Sequence, residues 1–336
     1  MTIEEIKTEI LKTESKIVLL SHKNPDGDTI GSALALYHLF SNLNIDTTMI
    51  VPNDFPDFLK WMPGADRFIV ATKEEKLAHQ SINNATLIFF IDFNNYDRIN
   101  HIEHIVKKNN APKILIDHHP NPEYFFDFSL SGVTVSSTAE LIYSFISHLG
   151  YSNKINKSIA ESLFTGIMTD TGCFSHNSSK PETFETVAKL LHTGIDKNKI
   201  YNNLYNNFSE NRMRLLGYAL YEKMIVLSQY HTAFFSLSEK ELQKFNFQLG
   251  DEEGMVNYLL SIKNIIFAVI ILEKKNYVKL SFRSKGFFPA NYIAKRYFHG
   301  GGHLNAAGGK SYKSLSETIT KLQTILKDDQ ALQKYF

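Results

Sequence analysis

Three short apolar segments, each followed directly by an acidic or histidine residue, constrain the fold of this chain most. The segments span residues 16–21, 85–91 and 113–116. The residues that follow them are His22, Asp92 and Asp117. Short apolar runs of this kind are typical of buried parallel strands. We therefore expect three strands that carry polar side chains at their carboxyl ends.

Helical patterns separate these strands and indicate an α/β fold. Residues 30–43, 135–149 and 158–168 have helical spacing, and Asp28 or Thr29 is placed to cap the first of these helices. Strands that alternate with helices predict a doubly wound parallel sheet. Ligands of such sheets bind beyond the carboxyl ends of the strands, so one edge would collect all three polar loops.

The rest of the chain predicts a second, smaller α+β domain, and 336 residues suit two domains. Its strand-like segments are 230–237, 262–272 and 277–282, and its helix-like segments are 291–297 and 316–326. We predict a metal-binding catalytic domain over 1–194, a helical linker over 195–229 and a substrate-binding domain over 230–336.

Composition narrows the function and the compartment. The formal net charge is +1, which favours a small anionic substrate over a protein that tracks along a long nucleic acid, although a local basic patch stays open. The single Cys173 excludes an intramolecular disulfide and any multi-cysteine metal site. We see no signal-peptide pattern and no apolar stretch of the ~20 residues that span a bilayer, and expect a cytoplasmic protein with no membrane contact.

The loop after the first strand carries His22, Asp26 and Asp28. Imidazole nitrogen and carboxylate oxygen together suit Mn²⁺ and, less distinctively, Zn²⁺ or Fe²⁺. The alternative is a plain turn, because Asn-Pro-Asp-Gly at 24–27 is a good turn sequence by itself. The neighbouring histidine and second aspartate favour the metal.

Further candidate ligands follow later strands and a helix. Asp92 could instead cap a helix, and Asp170 could lie in an exposed loop. His118 and His119 can point in different directions, with Asp117 orienting a neighbouring imidazole. The candidate metal ligands are His22, Asp26, Asp28, Asp92, His118 and Asp170. Six such residues with one bridging carboxylate can hold two metals roughly 3.5–4 Å apart.

Candidate phosphate-binding residues lie in both domains. Gly300–His303 is a glycine-rich turn whose backbone N–H groups could form a phosphate nest, with a flexible turn as the alternative. Arg283 can grip phosphate with a forked donor set, and Arg98 could bind phosphate or lie in a capping segment.

These motifs, in this order, resemble the DHH phosphoesterase family, named for the Asp117-His118-His119 motif. The pattern at 283–284 and 300–308 resembles its DHHA1 substrate domain, so the resemblance covers nearly the whole chain. The two-domain length is most similar to oligoribonucleases that also act as phosphatases of 3′-phosphoadenosine 5′-phosphate (pAp).

The resemblance implies two Mn²⁺ ions and a role for each motif residue. His22, Asp26 and Asp92 would hold one ion. Asp28, Asp92, His118 and Asp170 would hold the other. We predict catalytic roles for Asp28, Asp117 and His119. We predict substrate binding by Arg98, His119, Arg283, Ser284, Gly301, Gly302 and His303.

One position departs from the family pattern. Many relatives carry an arginine soon after the phenylalanine that corresponds to Phe174, whereas Ser175 and His176 follow it here. Substrate preference could therefore differ, and His176 could either replace the arginine or be merely exposed.

The expected function is Mn²⁺-dependent hydrolysis of short RNA or DNA oligonucleotides and of pAp. One alternative is a phosphodiesterase for cyclic or linear dinucleotides, and another is a nucleotide sensor without catalysis. A DHH-type pyrophosphatase is disfavoured by Gly300–His303, and a RecJ-like exonuclease would be longer. A homodimer is allowed, but the sequence does not set the oligomeric state.

Overall fold

The computed structural model describes residues 1–336, which divide into two compact units, Met1–Asn207 and Phe208–Phe336. Each unit has its own sheet and its own hydrophobic core. The domain limits at residues 194 and 230 stay predictions. No helix in either unit combines the length and apolarity that crossing a membrane requires.

The first unit is built on six parallel strands. They are β1 Lys16–Ser21, β2 Asp46–Val51, β3 Ile69–Val70, β4 Leu87–Ile91, β5 Lys113–Asp117 and β6 Phe128–Ser131. Their order in the sheet is β3-β2-β1-β4-β5-β6. The chain builds outward in one direction from β1 and then in the other from β4. The predicted doubly wound α/β fold is confirmed, with its switch point between β1 and β4.

Eight helices accompany this sheet. They are α1 Ile3–Ile10, α2 Gly27–Asn42, α3 Glu75–Asn84, α4 Glu103–Lys108, α5 Thr138–His148, α6 Lys157–Asp170, α7 Pro181–Leu191 and α8 Lys197–Tyr205. Side chains of β1 alternate between two cores: Ile17 and Leu19 pack with α2, α5 and α6, while Val18 and Leu20 pack with α3 and α4. Burial on both faces explains the continuous apolar strand segments.

Helix α2 begins at Gly27, three residues earlier than predicted, because Asp26 caps it. The Asp26 carboxylate accepts hydrogen bonds of 3.1 Å from the backbone N–H groups of Asp28 and Thr29. The predicted caps, Asp28 and Thr29, were therefore wrong. The first turn of α2 instead presents both of their side chains inside the protein, where they are buried.

Glycines let α2, α5 and α6 approach closely beside the end of the sheet. A Cβ on Gly31 would lie 2.4 Å from the carbonyl oxygen of Ser162, and one on Gly166 would lie 2.6 Å from the Ala139 Cβ. Neither position has room for a side chain. This close packing places the start of α2 against the start of α5.

The second unit has a mixed six-stranded sheet. Its strands are β7 Met224–Leu227, β8 Thr232–Leu237, β9 Phe267–Lys274, β10 Tyr277–Ser284, β11 Gly301–His303 and β12 Ala306–Ser311, in the order β11-β12-β10-β9-β8-β7. β8 and β9 are parallel, and the other neighbours are antiparallel. Its helices are α9 Glu210–Glu222, α10 Glu239–Lys244, α11 Met255–Leu260, α12 Ala290–Tyr297, α13 Leu315–Asp328 and α14 Gln330–Gln333. The predicted α+β class is confirmed, and β7 lies inside the segment expected to be helical.

The glycine-rich segment is a short strand rather than the predicted turn. Gly301–His303 forms β11, which pairs with β12 through Gly302 and Ala307. A Cβ on Gly300 would lie 1.9 Å from the carbonyl oxygen of Gly308, and Gly302 has a φ of +138°. Close backbone contact therefore requires glycine at position 300, just before the strand, and the unusual φ requires it at position 302 within the strand.

Candidate metal centre

The polar loops after β1, β4 and β5 meet because these strands are neighbours in register. Ser21 lies beside Ile91, and Ile91 lies beside Ile116, so the three strands end at the same level. The next residues are His22, Asp92 and, at the end of β5, the Asp117-His118-His119 segment. The predicted convergence is present at the switch point of the sheet.

Asp92 lies at the centre of the group and is almost completely buried. Its φ of +66° is uncommon for a residue other than glycine and turns the chain sharply after β4. One carboxylate oxygen accepts a 2.5 Å hydrogen bond from Thr29, and the other accepts a 2.8 Å hydrogen bond from Thr138. Burial alone would raise the pKa of Asp92, but the hydrogen bond with His22 and the charges of the nearby histidines lower it.

Asp92 belongs to a first group of three candidate metal ligands with His22 and Asp26, whose potential ligand atoms lie within 4.8 Å of one another. The His22 Nε2 is 3.4 Å from the Asp92 carboxylate. Its Nδ1 donates a 2.8 Å hydrogen bond to the Lys23 carbonyl, which leaves Nε2 pointing at the acids. A backbone partner on the far nitrogen is the usual way to orient a histidine toward a metal.

Asp92 also belongs to a second group, with Asp28 and His118. The His118 Nε2 lies 3.9 Å from Asp28 Oδ2, 3.7 Å from Asp92 Oδ1 and 3.7 Å from Asp170 Oδ2. One imidazole nitrogen therefore faces three carboxylates. Five of the six predicted ligands therefore lie in two groups that share Asp92, and the sixth, Asp170, lies beside the second group next to His118.

Asp28 is held by the amino terminus of α5. Its carboxylate oxygens accept hydrogen bonds of 2.7 Å from the backbone N–H of Thr138 and 2.8 Å from that of Ala139. Helix amino termini favour negative charge. Burial nevertheless raises the pKa of Asp28 well above its ordinary value, and the charges of Asp92 and Asp170 raise it further.

A buried glutamate on α5 fixes this helix start. Glu140 Oε2 accepts hydrogen bonds from the Ser136 N–H at 3.1 Å, the Ser136 hydroxyl at 2.5 Å and the Thr183 hydroxyl of α7 at 2.9 Å. Ser137 caps the helix by accepting from the Glu140 N–H. We did not predict roles for these residues, although serine followed three residues later by glutamate is a helix-start signal.

Asp117 and His119 form a hydrogen-bonded pair beside the two groups. Asp117 is fully buried, and its Oδ1 lies 2.7 Å from the His119 Nδ1. Burial would lower the pKa of His119, but the hydrogen bond to Asp117 and the charges of Asp92 and Asp117 raise it to about 9. The predicted orienting contact from Asp117 is thus made to His119, whose Nδ1 is also 3.7 Å from Asp92.

Asp170, the last residue of α6, completes the cluster of acids. Burial and the charges of Asp26 and Asp92 raise its pKa to about 7, although His118 opposes the shift. Its Oδ2 atom is buried without a hydrogen-bond partner. The hydrogen-bond partners of the other carboxylates at the site are a histidine, hydroxyls and backbone N–H groups. Crowded carboxylates and imidazoles of this kind fit divalent cations, which would supply the missing positive charge.

Arg98 lies in the segment that follows Asp92, and its backbone contacts the loop after β1. It ends a short 3₁₀ helix after β4, and its carbonyl accepts a 2.7 Å hydrogen bond from the Lys23 N–H. Its charge lowers the pKa of His119, so the guanidinium lies within electrostatic range of that ring. Phosphate binding by Arg98 stays a prediction.

The segment after Asp170 has an unusual backbone. Gly172, Cys173 and Phe174 have successive φ values of +53°, +56° and +65°. His176 follows, exposed to solvent, with its Nδ1 3.0 Å from the Ser175 hydroxyl. Replacement of the family arginine by His176 stays a prediction.

The predicted substrate residues of the second unit are close together within that unit. Arg283 of β10 and His303 of β11 both lie directly across from Ala306 of β12, on either side of it. Directly opposed residues project to the same face of a sheet, so a methyl group separates the two longer side chains. Ser284 donates a 2.7 Å hydrogen bond to the Phe288 carbonyl.

Known proteins match both units. Residues 16–167 match the DHH family, N-terminal domain, and residues 229–329 match the DHHA1 domain. The bifunctional oligoribonuclease and PAP phosphatase NrnA of Bacillus subtilis is 27% identical and aligns with 96% of this chain and 99% of its own length. The cyclic-di-AMP phosphodiesterase GdpP of the same organism is 29% identical over 98% of this chain but only 49% of its own length.

A solved structure shares both the fold and much of the sequence. It is an exopolyphosphatase-related protein from Bacteroides fragilis, 42% identical, with a TM-score of 0.94. The match covers 99% of this chain and 97% of that protein.

Proposed function

The chain belongs to the DHH family of phosphoesterases, and from this we propose that it hydrolyses short oligonucleotides and pAp with the help of two Mn²⁺ ions. The observation that carries the proposal is the position of Asp92, a buried carboxylate that belongs to both the group of His22 and Asp26 and the group of Asp28 and His118. A shared carboxylate is the arrangement by which two metals are held a few ångströms apart.

The proposed ligands divide between the two ions. His22, Asp26 and Asp92 would hold one ion, and Asp28, Asp92, His118 and Asp170 would hold the other. Mixed imidazole and carboxylate donors favour Mn²⁺ over Mg²⁺, which prefers oxygen alone. When bound, the ions would act as Lewis acids that stabilise charge on phosphoryl oxygens and supply a nucleophile near neutral pH.

Groups that surround the proposed ligands would hold their side chains in position and orient the residue that contacts the substrate. The amino terminus of α5 holds both oxygens of Asp28, and the Lys23 carbonyl fixes the ring of His22. Asp117 fixes the ring of His119, which we propose contacts the scissile phosphate. Groups that are already oriented need little reorganisation when charge develops during the reaction.

The second unit would bind one end of the substrate. Arg283 can contact two phosphate oxygens at once, and Gly301 and Gly302 expose backbone without side chains. An enzyme that recognises one terminus of an oligonucleotide cleaves from that terminus, as an exonuclease does. The single nucleotide pAp would then be its shortest substrate. The printed name of the Bacillus subtilis relative NrnA gives both activities to that protein.

Product analysis tests the proposal directly. The full chain is incubated with a labelled five-nucleotide RNA or with pAp, in Mn²⁺ and after chelation. We expect successively shorter RNA products, release of phosphate from pAp, and loss of both activities with the chelator. The variant Asp92→Asn should be inactive. The matched control Asp46→Asn, an exposed aspartate at the other end of the sheet, should keep full activity. A chain that cleaves neither substrate in Mn²⁺ refutes the proposal.

A second candidate is the hydrolysis of cyclic or linear dinucleotides, which the similarity to GdpP over 98% of this chain favours. Rates on cyclic di-AMP, a linear dinucleotide and pAp would rank the two candidates. Tight binding of these nucleotides without any product would instead indicate a sensor.

A further inference from the structure

An aromatic side chain is displayed to solvent in the loop that follows β10. Phe287 is 85% exposed, whereas its neighbour Phe288 is buried against Phe267 and Tyr335. Leaving a large apolar ring in water has no benefit for folding. Isolated exposed apolar residues are common, so the surroundings of Phe287 decide whether the ring has a use.

The loop that carries Phe287 is held firmly by hydrogen bonds on both sides of the ring. The Lys285 N–H donates to the Ile266 carbonyl at 2.8 Å, and the Phe288 carbonyl accepts from Ser284. The Gly286 carbonyl accepts a 2.9 Å hydrogen bond from the Asn305 side chain. A ring presented by a fixed backbone loses little conformational entropy when a ligand covers it.

The same hydrogen bonds place Phe287 beside the proposed phosphate-binding residues of this unit. Asn305, which follows His303 and Leu304, also donates a 2.9 Å hydrogen bond to Ser284. One side chain therefore ties the Phe287 loop to the β11–β12 hairpin. Leu304, in the turn of the same hairpin, is 42% exposed.

We propose that the Phe287 ring is a stacking platform for a nucleobase of the substrate, next to the phosphate site of Arg283 and His303. The inference deepens the proposed function and rests on it. Because every base has a π face, stacking on an aromatic ring tolerates different bases. The platform should therefore select nucleotides over sugar phosphates while discriminating little among the four bases.

Binding of AMP and of ribose 5-phosphate to the full chain, measured by calorimetry in Mn²⁺, tests the platform. The two probes differ only in the base. We expect the wild-type chain to bind AMP more tightly and Phe287→Ala to reduce that preference by about tenfold. The affinity for ribose 5-phosphate should not change. Phe287→Trp should keep the preference, and Phe287→Leu, which is apolar but lacks a ring, should lose it.

Tyr221→Ala is the matched control, because Tyr221 is an equally exposed aromatic on α9, which packs on the opposite edge of the same sheet. Its affinity for AMP should be that of the wild-type chain. The platform is refuted if Phe287→Ala retains the full preference, or if it weakens both probes equally. A wild-type chain without a preference for AMP, including one that binds neither probe, also refutes it.

Hydrolysis of pAp by the wild-type chain is measured in parallel. A chain that leaves pAp intact but loses its AMP preference in Phe287→Ala would refute the proposed hydrolysis and support the platform. The reverse result, rapid hydrolysis with an unchanged preference, would keep the hydrolysis and remove the platform.

Discussion

The hydroxyl of Thr138 donates a 2.8 Å hydrogen bond to Asp92, so the first residue of α5 contacts the carboxylate that both ligand groups share. The backbone N–H of the same threonine donates to Asp28. One helix start therefore orients two acids that come from different parts of the chain. Changes in the ligands, in this helix start or in the packing beneath it should affect the site in different ways.

Replacing Asp92 with asparagine should remove both metals without unfolding the chain. Asparagine tolerates a positive φ better than most residues, and it keeps the size of the side chain. We expect Mn²⁺-dependent turnover of pAp to fall by at least roughly 100-fold. Mutating a residue that only hydrogen-bonds to a metal ligand already lowers metal affinity or activity by about 10–100-fold, and Asp92 would be a ligand itself. Calorimetry with Mn²⁺ and circular dichroism check binding and folding. Unchanged Mn²⁺ affinity would contradict the assignment.

Replacing Glu140 with alanine should loosen the start of α5. The variant leaves Ser136 and Thr183 without their shared acceptor, which costs roughly 1–3 kcal/mol of unfolding free energy. We expect kcat to fall with little change in KM, since Asp28 and Asp92 lose their support but no substrate contact is removed. Glu140→Gln, which keeps an oxygen acceptor, should recover part of the activity. The exposed Glu185→Ala on α7 is the control, and equal losses in both variants would argue against the positioning role.

Two glycine substitutions on helices should have opposite effects on stability. A Cβ at Gly31 would collide with the Ser162 carbonyl, so Gly31→Ala should lower the free energy of unfolding by roughly 1–3 kcal/mol. A Cβ at Gly217 on α9 meets no atom within 4 Å, so Gly217→Ala should raise it by about 0.4–1 kcal/mol. Urea unfolding of the two variants measures both changes. A neutral Gly31→Ala would mean that α2 and α6 pack less closely.

Replacing Asp170 with asparagine should stabilise the metal-free protein and lower its affinity for Mn²⁺. Asp170 lies among buried carboxylates, and its Oδ2 has no hydrogen-bond partner. We expect Asp170→Asn to melt several degrees above the wild-type chain in chelator, since relief of roughly 1 kcal/mol shifts Tm by a few degrees. Added Mn²⁺ should then raise Tm less than it does for the wild-type chain. Melting curves with and without Mn²⁺ decide the point, and an equal metal-induced shift would exclude Asp170 as a ligand.

Ionised Glu241 in the second unit should stabilise the fold at neutral pH and lose this effect in acid. Burial would raise the pKa of Glu241, but hydrogen bonds from Lys223, Tyr218 and Ser238 lower it to about 2. Because this value lies below the ordinary 4.5, ionised Glu241 stabilises the fold above about pH 4.5 and loses this effect as the pH falls toward 2. Glu241→Gln should cost about 1 kcal/mol at pH 7, as expected for a capping residue.

Urea unfolding of wild-type and Glu241→Gln chains between pH 7 and pH 2 tests the pH dependence. The difference between the two chains should shrink as the pH falls below about 4.5. Glu222→Gln, an exposed glutamate of the same unit, should show no such difference. A constant difference across the range would mean that the ionised form of Glu241 is not what stabilises the fold.

The parts of the fold that could be predicted are those with a strong local signal. β1 has the predicted limits, Lys16–Ser21, because a strand buried on both faces is a continuous apolar run. β3 has only two residues, and β6 alternates between half-buried and exposed positions, so neither strand has an apolar run long enough to be predicted from the sequence. The cap of α2 was misplaced because several adjacent residues there can cap a helix equally well.

By itself, the sequence indicated the candidate residues for the chemistry and determined that they follow strands of a doubly wound sheet. Residue type and the order of motifs are local properties of the chain, and the rule for parallel sheets brings strand ends together. Only the tertiary structure decided how Asp92 is supported. Its partners Thr29 and Thr138 lie 63 and 46 residues away in the chain, and they reach it through helix packing at Gly31 and Gly166. Such packing depends on the shapes of surfaces that are distant in sequence, and no single segment encodes it.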